Sequence, residues 1–142
     1  MSTMKDLVFV DSNIWIYAFF PSDREQYVRI MAFLKKLFRE KQVVVSFQVI
    51  NEVCFYLRKN GFPEQKLKKI IAAFSKRCII TDFSLSLLEA ASDLRKKHSF
   101  SYWDGLITAS AISAGCTTLY SEDMQDSRII DGMHIKNPLK RL

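Results

Sequence analysis

Four acidic residues stand where a carboxylate could do chemistry. Asp11 ends the apolar run LVFV, Leu7 to Val10. Glu52 lies within SFQVINEVCFYLRK, amid Val49, Val53, Phe55 and Tyr56. Asp104 opens SYWDGLITASAISAG, and Asp123 follows TTLY after Ser121 and Glu122. Brought together, these groups would resist one another: two full charges about 5 Å apart repel by roughly 3 kcal/mol at an effective dielectric near 20. Relief comes from protonation, a basic side chain or a bound divalent cation. Hard oxygen donors suit Mg²⁺ or Mn²⁺ rather than zinc.

Each acid also has a plainer explanation. Asp11 could cap the helix that follows it. Ser101-x-x-Asp104 has the spacing of a capping box, and Asp123 could be an ordinary turn aspartate. Glu52 could be solvated at a seam. Caps do not account for Glu52, however: a glutamate in the middle of an apolar helix needs a partner or a cation.

The surrounding elements place these residues. Leu7–Val10 reads as a buried strand, Ser12–Phe20 as a short helix stopped by Pro21. Ser22 or Asp23 can cap a helix through Glu40, with Tyr27, Ile30, Met31, Leu34, Leu37 and Phe38 on one face. Val43–Ser46 is a second strand, followed by a helix to Asn60 that Gly61 stops. Pro63 begins a helix to about Lys76. Cys78–Thr81 is a third strand, with helices from about Leu85 to Lys97 and from Tyr102 to Ala114. Gly115 closes the last of these. Thr117–Tyr120 is a fourth strand and MHIK (133–136) a fifth. Strands alternating with helices predict an α/β domain, its central sheet mainly parallel with four or five strands and helices on both faces. Asp11 and Asp123 then fall on the rim beyond the carboxyl ends of strands, where open α/β sheets bind ligands.

A chain of 142 residues suffices for one domain, taken here as 1–142. Its 49% hydrophobic and 25% charged residues are those of a globular protein. The net charge of +6 suits a polyanionic partner without demanding one. Set the four acids aside and 11 remain against 21 Lys and Arg, so the rest of the chain carries +10. Three cysteines without C-x-x-C spacing read as small buried hydrophobes and favour a reducing cytosol. The run Ile14–Phe20 is too short to span a membrane.

The segments VDSNIWIYAF, SFQVINEV, FSYWDGLITASAISAGCTTLYSEDMQD and IKNP resemble the PIN-domain ribonucleases. Within that family they resemble the VapC-like toxins of bacterial and archaeal toxin–antitoxin pairs. The resemblance runs from about Leu7 to Pro138 and implies a three-layer α/β/α PIN-like fold. Matched by position, it makes Asp11, Glu52, Asp104 and Asp123 the catalytic, metal-binding acids. Ser12, in place of the commoner threonine, Asn13 and Ser121 would support them, with Asp126 as an accessory acid.

The activity so implied is endonucleolytic hydrolysis of RNA dependent on one or two Mg²⁺ or Mn²⁺ ions, which lower the pKa of bound water. A small antitoxin and a homodimeric state come with the resemblance. Arg95, Lys96 and Lys97, closing the helix before Asp104, are candidate RNA contacts, whereas Lys66, Lys69 and Lys76 read as a solvated face. Trp15 and Trp103 adjoin site positions and could stack on a base, though core packing is the plainer role. Two other readings stand beside this one. A non-catalytic RNA-binding PIN module would be expected to lack one or more acids. A Mg²⁺-dependent phosphatase using Asp11 would be expected to carry a second aspartate where Asn13 stands. No G-x-S-x-G or glycine-rich phosphate loop is present.

Overall fold

A computed structural model of the chain describes residues 4–124 and 127–140. It is a three-layer α/β/α domain around a six-stranded sheet in the order β3-β2-β1-β4-β6-β5. In chain order the elements are β1 (Leu7–Val10), α1 (Ser12–Phe19), α2 (Arg24–Glu40), β2 (Gln42–Ser46), α3 (Phe47–Lys59) and α4 (Glu64–Arg77). Then come β3 (Ile79–Thr81), α5 (Leu85–His98), α6 (Tyr102–Ser113), β4 (Thr118–Tyr120), β5 (Ile129–Ile130) and β6 (Met133–Lys136).

All pairings are parallel except the β5–β6 hairpin. The sheet therefore has one strand more than four or five. The additional strand is two residues long, and its hairpin turns on Asp131 and Gly132, both at positive φ (49° and 83°). An Asp-Gly pair is the turn chemistry that a two-residue hairpin loop selects.

The central strand β1 runs Val8–Val10 with no exposed surface, as a strand covered on both faces must. It lies between β2 and β4, so the chain's progression across the sheet reverses there. That reversal opens a crevice at the carboxyl ends of β1 and β4. Below it, Trp15 of α1 is 4% exposed, packs edge-on against Phe74 of α4 with centroids 5.0 Å apart, and donates its Nε1–H to Val10 O at 3.0 Å. Trp15 is core.

Helix starts follow their caps. Asp11, Asp23, Ser46, Ser84 and Ser101 each accept a backbone N–H at the N-terminus of α1, α2, α3, α5 and α6. Cys116 is buried and Cys54 and Cys78 half-buried, all three free, with burial pushing each thiol above its ordinary range. Among the described residues no helix is long and apolar enough to cross a membrane.

Candidate active site

Asp11 continues the ladder of β1 by one bond, its N–H donating to Tyr120 O at 2.9 Å, so its side chain is delivered to the rim beside β4. It is both cap and buried acid. Oδ1 accepts the Ser12 N–H at 2.7 Å, and Oδ2 accepts the Ser121 hydroxyl at 2.9 Å. The residue is only 5% exposed. Desolvation raises its pKa from 3.8 to about 6, against the lowering effect of the Ser12 and Ser121 bonds; Glu52 and Asp123 push it further up.

Glu52 projects from α3 toward the same place. The Ser12 hydroxyl lies 3.1 Å from Glu52 Oε2 and 3.4 Å from Asp11 Oδ1, and Gln48 Nε2 donates to Glu52 Oε1 at 2.7 Å. The expectation that Glu52 is enclosed by apolar neighbours is not met. Val49 and Val53 are buried, but Phe55 and Tyr56 face outward and Glu52 itself is exposed. Its partners are a serine and a glutamine one helical turn back. Gln48 was not singled out from sequence, although its i, i+4 spacing to Glu52 was there to read.

Asp123 follows β4 and is held by Asn13 of α1, whose Nδ2 donates at 2.6 Å. Its pKa is raised, by desolvation first and then by Glu122, Asp104 and Glu52. Glu122, which sequence reasoning passed over, accepts the Tyr17 hydroxyl at 2.5 Å. That bond and burial push the phenol above its normal range, burial contributing more.

Asp104 stands in the first turn of α6. Ser101 accepts its N–H at 3.2 Å, so the serine half of the capping box forms. Among the described residues no side chain hydrogen-bonds or ion-pairs with the Asp104 carboxylate, and it remains half-buried. The structure thus brings Asp11, Ser12, Asn13, Glu52, Ser121 and Asp123 into one bonded or electrostatic group, with Asp104 joined through the field it exerts on Asp123. Asp126 lies outside the described residues. Arg95, Lys96 and Lys97 occupy the last turn of α5, adjoining the start of α6 rather than contacting the acids.

The donor set fits a hard divalent cation. Among the described residues no Lys, Arg or His forms an ion pair with any of the four acids, so their mutual repulsion is unrelieved by protein charge. Nor do three of the described Asp, Glu, His or Cys residues form a group drawn tightly enough to hold an ion directly. Mg²⁺ commonly takes one or two carboxylates and keeps several waters, so a loosely spaced group of acids is compatible with it.

Residues 8–130 match the PIN domain model, and the chain belongs to the PIN-domain family. Solved structures agree in fold. A toxin–antitoxin complex from Klebsiella pneumoniae matches with a TM-score of 0.71 at 22% identity, covering 92% of this chain and 97% of that one. VapBC2 from Rickettsia felis, bound to a DNA fragment from its promoter, matches at 0.69 and 23% identity, covering 92% and 98%. VapC20 of Mycobacterium tuberculosis, described as a toxin cleaving the sarcin–ricin loop, matches at 0.64 and 20%, covering 82% and 89%. Comparison with curated protein sequences returned no match.

Proposed function

We propose that this protein is a metal-dependent endoribonuclease and the toxin of a toxin–antitoxin pair. One observation carries the catalytic reading: Asp11, buried on the sheet rim, feels the charges of Glu52 and Asp123, and among the described residues no protein cation ion-pairs with them. Capping α1 accounts for the Ser12 bond to Asp11, but not for the convergence of further carboxylates on the same rim.

In this reading Asp11, Asp104 and Asp123 would hold Mg²⁺ or Mn²⁺ at least in part through its waters, and Glu52 would bind metal or orient the attacking water. The bound cation supplies neutralisation of the phosphate and a water of lowered pKa. The chain's residues do the positioning. Ser12 bridges Asp11 and Glu52, Ser121 fixes the second oxygen of Asp11, and Asn13 seats Asp123. The basic remainder attracts the RNA backbone.

The toxin assignment rests on family membership together with the fold shared with VapBC proteins. An apolar groove of about 670 Å³ among α1, α2 and α4 supports a protein partner. Trp15, Phe19, Leu34, Phe38 and Phe74 line it together with Lys35, Arg39 and Arg77. A homodimeric, cytoplasmic protein completes the proposal.

The test is incubation of purified protein with RNA and Mg²⁺ or Mn²⁺, with and without EDTA. Cleavage that needs the ion and is lost in Asp11→Asn and Asp104→Asn supports the mechanism. Equal cleavage by wild type and either variant defeats it, and RNA binding without any cleavage would favour the non-catalytic module. Growth arrest on expression, absent in Asp11→Asn and relieved by the product of a neighbouring small gene, tests the toxin assignment.

A further inference from the structure

Two tryptophans stand close to site positions in the sequence, and the fold treats them oppositely. Trp15 is core, whereas Trp103 is 60% exposed and Tyr102 beside it 56% exposed, in the first turn of α6 next to Asp104. Their rings meet edge-to-face with centroids 5.1 Å apart at 78°. The Arg95 guanidinium lies 4.2 Å from the Tyr102 ring centre, and its Nη1 donates to Tyr102 O at 3.1 Å.

The arrangement is built around a missing side chain. A Cβ on Gly105 would stand 2.5 Å from Arg95 Cγ and 3.2 Å from Ala91 O, so glycine is what lets α5 and Arg95 lie against the start of α6. Arg95 thereby anchors Tyr102, Tyr102 abuts Trp103, and the indole stands out into solvent. Arg95 thus brings a cation to the platform, on a chain whose net charge is +6.

We propose that Tyr102 and Trp103 form a nucleobase platform. The indole of Trp103 stacks on an unpaired base of single-stranded RNA next to the phosphate held over Asp104 and Asp11. The inference rests on the nuclease reading and adds to it a specific contact: the residue that holds the base beside the bound phosphate is Trp103, braced by Tyr102 and Arg95. Stacking is tolerant of base identity, because every base presents a π face. The charge around the platform favours a polyanion over a second copy of this chain. A two-fold contact through this patch would set the Arg95 guanidinium against that of the other copy.

The test uses the Asp11→Asn protein, so that RNA is bound without being cut, and a single-stranded oligoribonucleotide. Binding should quench tryptophan emission, and Trp103→Phe should abolish most of the quench while keeping affinity within a few-fold. Trp103→Ala should weaken binding by about 5- to 150-fold, the range of one base–aromatic stack. Removing one base from the oligonucleotide should weaken binding to the Asp11→Asn protein and leave Trp103→Ala unaffected, a coupling that a merely structural tryptophan would not produce.

Equal affinities for the Ala variant and its parent, or an abasic effect identical in both, overturn the platform. So does a Trp103→Ala protein that turns from dimer to monomer and binds RNA more weakly only through that change. Cleavage by the wild-type chain is read separately: coupling without Mg²⁺-dependent cleavage defeats the nuclease reading and leaves the platform supported. Cleavage without coupling defeats the platform alone.

Discussion

Asn13 Nδ2 donates a 2.6 Å hydrogen bond to Asp123 Oδ2, joining residues 110 positions apart in the chain. The same short helix sends Ser12 to Glu52 and Tyr17 to Glu122. Helix α1 thus organises the acidic group, and three of its polar side chains reach acids contributed by other elements.

Asn13→Ala removes the partner of Asp123 without touching the acid. A hydrogen bond to a charged group contributes about 1.5–3 kcal/mol when buried; at this exposed position about 1 kcal/mol is expected. The Mg²⁺ concentration for half-maximal cleavage should rise by about 5- to 10-fold with little change at saturation. Asn13→Asp adds a further negative charge and should be worse at low Mg²⁺. Metal titrations of cleavage rate decide the matter, and unchanged curves would refute the positioning role.

Ser12→Ala removes the hydroxyl shared by Asp11 and Glu52, whereas Ser12→Thr retains it. The alanine variant should lose roughly 10-fold in rate at subsaturating metal, as for one hydrogen bond to an ionised group, while threonine keeps most of it. Loss of rate in both variants to the same degree would point to packing rather than to the hydroxyl.

Burial raises the Asp11 pKa from 3.8 to about 6, which fixes the sign of a pH effect on stability. Between these values the folded state holds the proton more tightly than the unfolded chain, so metal-free stability falls as pH rises. Below about 4 both states are protonated and the penalty vanishes; above about 6 it is complete, at most about 3 kcal/mol for a shift of some two units. Asp11→Asn keeps a capping side chain and escapes the penalty. In EDTA its melting temperature should exceed that of the wild type increasingly from pH 4 to 6 and by a constant margin above. Mg²⁺ should narrow the margin. A margin independent of pH would contradict this account of Asp11.

Gly105→Ala forces a methyl group to within 2.5 Å of Arg95 Cγ. Overpacking of this kind costs about 1–3 kcal/mol. Urea denaturation should show that loss, and Arg95→Ala combined with Gly105→Ala should recover part of it, because the clash needs both side chains. Additive losses would mean that the Ala91 carbonyl, not Arg95, is what the methyl meets.

What could be read from the residues follows the range of the forces involved. The termination of an apolar strand by Asp11, the Ser101-x-x-Asp104 cap and the stops at Gly61 and Gly115 are local, and each stands where expected. Glu52 was singled out on a mistaken premise: composition around it is apolar, but only one face of α3 meets the core, and the face bearing Phe55 and Tyr56 does not. The β5 strand is too short for any periodicity, though Asp131-Gly132 marked its turn. The contrast between Trp15 and Trp103 was illegible for another reason: both stand close to site positions, and only the packing of Trp15 on Phe74 and Phe38 separates them.

The position of β1 between β2 and β4 also governs when the acidic group can exist. Both of its parallel partners follow it in the chain, β2 soon after and β4 only near the end, where Thr118 pairs with Val8. Such distant pairing is among the slower steps of folding. During synthesis Asp11, Glu52 and Asp104 would all emerge before the strand that brings Ser121 and Asp123 to the rim. A ribosome-bound chain that has not yet laid β4 beside β1 can join Ser12 to Glu52 but lacks the bonds from Ser121 to Asp11 and from Asn13 to Asp123. Completion of the acidic group therefore waits on the pairing of β4 with β1, the most distant pairing that β1 makes in the chain.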